Sequence, residues 1–161
     1  MAAPALAGGV PTVAVAKQSW CSTDGFDAGA TVDALNALRR QNGLAEVTHD
    51  QALAAAAQEH STDLAGWGKL SHAGSDGSNF VMRIGRTRFD GVPRAENVAW
   101  NLPTAEAVVR AWDKSPGHRA NMLLDDVTHV GIGFACSPTK GRFWTMVLGR
   151  KDDATRFAAF R

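Results

Sequence analysis

Two alternating apolar runs near the end of the sequence constrain the fold most. Val127 to Cys136 places Val130, Ile132, Phe134 and Cys136 on one side, and Phe143 to Leu148 follows after the loop SPTKG. Period-two patterning on both sides of a five-residue connection is the signature of a β-hairpin. The segments before it carry mostly helical spacing. Helices first and strands later, without strict alternation, predict layered α+β architecture rather than a doubly wound parallel sheet. Neither GSDGSN nor the glycines of VGIG supply Gly-x-Gly-x-x-Gly between a strand and a helix, so no nucleotide loop is expected.

The helical segments have readable ends. The first is predicted from Thr31 as N-cap through Val32, Leu35 and Leu38 to Asn42, with Gly43 beyond it. A second opens at Thr48, with Gln51 three residues on as a capping box. Its stripe, Leu53, Ala56, Ala57, His60, Leu64 and Trp67, puts His60 on the buried face, where a hydrogen-bonded core histidine is expected rather than a ligand. The polar stretch SHAGSDGSN cannot be regular structure. NFVMRIGRTRF reads as a short helix or turn-rich segment, and ENVAW as a brief extended piece. A third helix spans about Thr104 to Trp112, with Ala105, Val108, Val109 and Trp112 inward.

The segment SPGHRANML, starting at Ser115, raises a chemical question. Ser115 suits an N-cap and Pro116 the first helical position, which makes His118 the third residue of a helix. Unpaired N–H groups and the helix dipole there disfavour positive charge. An imidazole so placed is expected to stay neutral, with a lone pair free for a metal or a proton. The plainer alternative is a polar residue near a helix end.

Composition narrows the class. The 161 residues suit one domain, and 45% hydrophobic with 20% charged residues is an ordinary globular balance. A formal charge of +1 argues against a nucleic-acid surface. No run of about 18 apolar residues provides a transmembrane segment. The opening MAAPALAGGVPTVAVA has small-residue pairs like a cleavage site but lacks the basic start of an export signal; a signal remnant and a flexible leader both fit. Residues 1–29 are therefore taken as a poorly ordered or tethered leader, 30–150 as the domain and 151–161 as a terminal tail. Cys21 and Cys136 are the two cysteines, too few and too far apart for a zinc cluster. Two free buried thiols are one reading. In an exported protein a Cys21–Cys136 bridge is the other, and closing so long a loop contributes about 4–5 kcal/mol.

Several motifs, in order and spacing, resemble the CAP superfamily: the cysteine-rich secretory, antigen 5 and pathogenesis-related class 1 proteins. They are LNALRRQNGL, DQALAAAAQEHSTDLA, SHAG, AENVAW, AVVRAWDKSPGHRANML, THVGIGFAC and FWTMVLG, over about Ala30 to Arg150, and the likeness is to the short bacterial branch. The resemblance implies a three-layer α-β-α sandwich with a central cleft lined by two histidines and two acidic residues. His72, Glu96 and His118 match three of those four. At the fourth position, three residues after Trp112, this chain has Ser115. Asp113 lies nearby but does not match the motif, and Asn121 falls where the family often has glutamine.

Two imidazoles and a carboxylate are enough for zinc or another divalent cation with one open position. His72, His118 and Glu96 are the candidate ligands. Glu96 could instead accept a hydrogen bond that fixes one histidine's tautomer, and a metal-free polar cluster is the third possibility. The resemblance implies a secreted, periplasmic or extracellular monomer that binds a hydrophobic small molecule or a cell-envelope component. Trp67, Phe80, Met82 and Trp100 are groove candidates, though core packing suits them equally. A hydrolase of envelope glycan or peptide, with Glu96 or His118 as base and a metal-bound water as nucleophile, is the alternative. A Ser115 nucleophile is disfavoured, because an N-cap hydroxyl is occupied by backbone N–H groups and no Gly-x-Ser-x-Gly elbow exists. A non-catalytic envelope scaffold is the third reading. Ligand binding is preferred to catalysis.

Overall fold

A computed structural model describes residue 21 and residues 26–152. The leader and tail assignments fall mainly on residues 1–20, 22–25 and 153–161, outside the described residues. Nine elements follow one another: α1 (Ala28–Gln41), β1 (Thr48–His49), α2 (Gln51–Trp67), α3 (Phe80–Gly85), β2 (Val92–Trp100), α4 (Ala105–Asp113), α5 (Pro116–Met122), β3 (His129–Ser137) and β4 (Gly141–Arg150). They form one sheet in the order β1-β3-β4-β2, in which β1 runs parallel to β3 and the other pairs are antiparallel.

The sheet is covered on both faces, the predicted α-β-α sandwich. On one face Val32, Leu35 and Leu38 of α1, Val108, Val109 and Trp112 of α4 and Met122 of α5 bury Ile132, Phe134, Trp144 and Met146. Arg39, fully buried, fastens this layer by donating to the carbonyls of Ala45 (2.8 Å), Met122 (2.8 Å) and Leu124 (2.9 Å). On the other face α2 packs directly on β3 and β4, with α3 alongside. The helix lies flush because β3 presents glycines. A Cβ at Gly131 would stand 2.1 Å from the Leu53 carbonyl carbon, and one at Gly133 would stand 2.3 Å from the Ala57 carbonyl.

Several predicted boundaries move, each for a local reason. Helix α1 starts at Ala28 because the Asp27 carboxylate caps Ala30 N–H (3.2 Å); Thr31 is inside the helix, its hydroxyl donating to the Asp27 carbonyl (3.3 Å). Phe26 is already part of the core, stacked on Phe134 at 5.3 Å between ring centres. The cap of α2 is Asp50, accepting from Ala52 and Leu53 at 2.9 Å, not Thr48. Thr48 and His49 form β1, held by Thr48 N–H to the Thr128 carbonyl and Asp50 N–H to that of Val130, both 2.9 Å. ENVAW grows into nine-residue β2 because all but its bulge at Pro93/Ala95 pairs in register with β4. In SPTKG, Ser137 and Gly141 already pair, so the turn proper is residues 138–140, closed by Gly141 at φ +103°.

Cys21 and Cys136 form a disulfide, with Cα atoms 5.6 Å apart. It clamps the chain before α1 to the hairpin end of β3.

The flush α2–β3 contact makes a direct prediction. Gly133→Ala must push the Ala57 backbone away, so its unfolding free energy in urea should fall by roughly 1–3 kcal/mol. An unchanged midpoint would show that the helix does not rest on this strand.

Candidate functional site

Strand β2 is a sheet edge, and its alternation sends neighbouring side chains to opposite layers. Glu96 meets the α2–α3 side, and Asn97 meets α5. The Glu96 side chain is only 1% exposed, and a carboxylate so buried needs partners. Arg83 of α3, itself 2% exposed, donates Nη2 to Glu96 Oε2 at 2.7 Å. His72 Nδ1 stands 2.9 Å from Oε1, and His60 Nε2, from α2, 3.9 Å from the same oxygen. Arg83 also donates to the carbonyls of Ser78 (2.8 Å) and His72 (3.1 Å), so the guanidinium holds the irregular 71–79 loop against the strand.

The opposite wall comes from α5. Asn97 Nδ2 donates to the His118 carbonyl at 3.0 Å, and Asn121 Nδ2 donates to Asn97 Oδ1 at 2.9 Å and the Glu96 carbonyl at 3.3 Å. Between the walls lies an open cleft of about 420 Å³, lined by His72, Asn79, Phe80, Arg94, Glu96 and Asn121 among others. That volume is in the range of small-molecule sites.

The three imidazoles are tuned differently. The hydrogen bond to Glu96 raises the His72 pKa above its ordinary 6.5. Burial lowers that of His118, and the nearby charge of His72 lowers it further. The direction of that shift is the one the sequence leads one to expect, but its leading cause is desolvation rather than the helix position. His60 is pushed down by burial; its Nε2 bonds the Ser71 carbonyl at 2.8 Å and its Nδ1 has no partner. It is the hydrogen-bonded core histidine the helical stripe predicts, though one that touches the site.

The structure thus gathers His72, Glu96 and Asn121 along the cleft, ties the His118 carbonyl to Asn97 without His118 lining the cleft, and leaves two candidates elsewhere. Asp113 pairs with Arg119 and lines the groove between α1 and α4, not the cleft. Ser115 is the N-cap of α5 by position but makes no side-chain capping bond, which corrects the expectation that backbone N–H groups occupy its hydroxyl. No hydrogen bond joins it to His118 among the described residues, so it has no base. Of the groove candidates, Phe80 lines the cleft, while Trp67, Met82 and Trp100 are 43%, 53% and 52% exposed. Arg83 is the site residue that sequence reasoning misses. In NFVMRIGRTRF it is one of three arginines, and nothing local marks it as the one that turns inward.

Both Glu96 oxygens are engaged, one by His72 and one by Arg83, and among the described residues no three His, Cys, Asp or Glu side chains are grouped to hold a metal ion. As they stand, His72, Glu96 and His118 do not fit a three-ligand site. Glu96 instead takes the orienting role behind His72, leaving the imidazole's Nε2 as the atom the cleft can use.

Removing the carboxylate should therefore show in two readouts. Glu96→Gln leaves Arg83 buried without its counter-charge and should lower unfolding free energy by about 3–5 kcal/mol. In NMR titration of the same variant the His72 pKa should fall toward or below 6.5. Unfolding studied against pH carries opposite contributions. The His72 contribution is complete below 6.5 and fades as pH rises through its raised folded value. Those of His60 and His118 are complete above 6.5 and fade as pH falls through their lowered folded values. His72 is largely exposed, whereas His60 faces Glu96, Arg83 and Asp63 from full burial, so the second trend should dominate. Stability should drop between pH 7.5 and pH 5 (roughly, the histidine range), and His60→Gln should flatten that drop; a rise on acidification would contradict it.

Known proteins are similar to this chain in sequence and in fold. A profile of the cysteine-rich secretory protein family, CAP, matches residues 32–148. Two Bacillus subtilis proteins are similar in sequence: the uncharacterized membrane protein YlbC, 31% identical over 120 residues, and the uncharacterized protein YkwD, 34% identical over 115 residues. These matches take in 74% and 71% of this chain but only 35% and 43% of those proteins, so the chain spans less than half their length. Among solved structures, an extracellular SCP-domain protein from Bacillus anthracis superposes with TM-score 0.69 at 27% identity, over 77% of this chain and 40% of that one. An outer surface protein of Borrelia burgdorferi shares the fold, with TM-score 0.66 at 20% identity, over 75% of this chain and 90% of the other. Taken with the α-β-α sandwich and its edge-strand cleft, the profile match over most of its length makes this chain a member of the CAP family.

Proposed function

We propose that this CAP domain works outside the cytoplasm as a non-catalytic binding module that takes a cell-envelope component in the His72–Glu96 cleft. The observation that carries the reading is the buried Arg83–Glu96–His72 relay at the cleft wall. It fixes the His72 ring and favours its charged form, so the cleft offers a positioned donor to an anionic or hydroxyl-bearing group. Asn121 adds a polar contact, and Phe80 with Ala95 offers an apolar seat beside them. An amphiphilic envelope molecule suits that mixture. The Cys21–Cys136 bridge suits an oxidising compartment, and the B. anthracis and B. burgdorferi relatives are described as extracellular and outer-surface proteins.

A second reading rests on His72 and the neighbouring His118, whose pKa values move in opposite directions. Such a divergence equips His72 as acid and His118 as base for hydrolysis of an envelope glycan or peptide. It ranks second because His118, the base it needs, does not line the cleft.

Native mass spectrometry of freshly purified protein, followed by titration with lipid and glycan extracts of envelope, tests the proposal. A bound envelope molecule, released by His72→Ala and by Asn121→Ala, is the expected result. Protein that carries nothing and binds nothing in titration overturns it. Turnover of an envelope substrate that disappears in His118→Ala would move the assignment to the second reading.

A further inference from the structure

We infer that the hairpin end of the α2 layer is a docking surface for an anionic phospholipid bilayer, separate from the cleft. Three exposed large apolar side chains gather there: Trp67 (43% exposed), Leu70 (44%) and Trp100 (52%). Lys140 joins their two segments. Its ammonium donates to the Gly66 carbonyl, its stem lies against Gly68, and its own carbonyl accepts from Trp100 Nε1 at 2.8 Å. Trp100 leans on Phe143, 6.5 Å between ring centres, and Lys69 Nζ sits 4.7 Å from the centre of the Trp67 ring. Residues 66–70 are all exposed, so the α2 terminus protrudes rather than packs.

The charge pattern selects the occupant. The segments that build the patch, GWGKL (66–70), WNLP (100–103) and PTKGR (138–142), contain Lys69, Lys140 and Arg142 and no acidic residue. Tryptophan, with an apolar body and one polar N–H, is enriched where a bilayer meets water. Lysines beside it are attracted to an anionic leaflet. A neutral protein groove would use the rings but not a field of one sign. The covalent path agrees, since Cys21 is tied to Cys136, and Cys136 pairs with Arg142 in the same hairpin. Cys21 is thereby held at the patch end of the domain. His72 follows Leu70 by two residues, so a docked domain would hold its cleft near the headgroups. This inference does not depend on what the cleft binds.

Co-sedimentation of the full chain with vesicles of phosphatidylglycerol and phosphatidylcholine, against phosphatidylcholine alone, tests it. Binding to the anionic vesicles with a blue shift of tryptophan emission, weak on the neutral ones, is expected. Lys69→Glu with Lys140→Glu should weaken it at least about tenfold, as each lysine near an anionic leaflet adds roughly fivefold. Trp67→Ser should remove much of the blue shift, and because its ring is surface-exposed the variant should melt like the parent. Cleft-ligand binding by the lysine variant should be unchanged, which separates a failure here from a failure of the proposed function. Absence of vesicle binding, equal binding by the lysine variant, or retention by insoluble envelope glycan with none on vesicles would each overturn the inference.

Discussion

Backbone-to-sheet contact between α2 and β3 is the constraint on which the rest depends. Gly131 and Gly133 remove the side chains that would hold a helix about 10 Å from a sheet, so the main chain of Leu53–Ala57 rests on the strand itself. The seventeen-residue helix then runs along the sheet as a fixed rail. Partway along, it delivers His60 to the underside of Glu96; one turn further, Asp63 accepts from Ser75 N–H (2.7 Å) and steadies the loop that carries His72. At its end it places Trp67 beside the hairpin. A slip by one residue on the helix would rotate all three by about 100°.

The site is an electrostatic solution to a buried carboxylate at a sheet edge. Glu96 stands on β2, the edge strand among the described residues, and the irregular 71–79 loop brings His72 against it. Ladder hydrogen bonds pair backbone groups and leave a side-chain carboxylate unsatisfied. Arg83 and His72 satisfy it instead, and in return the guanidinium organises the loop through two carbonyls. The same arrangement moves His72 and His118 apart in proton affinity, because one gains a carboxylate and the other gains only burial and a neighbouring cation. The result is an imidazole held in place at an open cleft, its charged form favoured by the carboxylate behind it.

Much of this was legible in the chain. The stripe from Leu53 to Trp67 fixes α2 and puts His60 inside, because a helix has one period and the apolar residues keep it. The hairpin was legible for the same reason, with period two. Start positions were less so. Thr48 and Asp50 both have the capping residue type, and pairing with the distant His129 and Val130 draws Thr48 and His49 into a strand. Ser115 has the right type and the right neighbour in Pro116, yet no capping bond, since residue type permits that bond and the rotamer decides it.

The layered α+β class and the two long patterned elements were readable from the chain alone, because periodicity is a local property of the polymer; the trio His72, Glu96 and His118 came with the family resemblance that the motifs carry. Only the tertiary structure decided what those residues do. Arg83 became the partner of Glu96, the carboxylate became an orienter of His72 rather than a free ligand, Asp113 went to another groove, and two tryptophans met around Lys140. Each of these depends on which groups lose water together, and desolvation belongs to the packed molecule, not to any stretch of its chain.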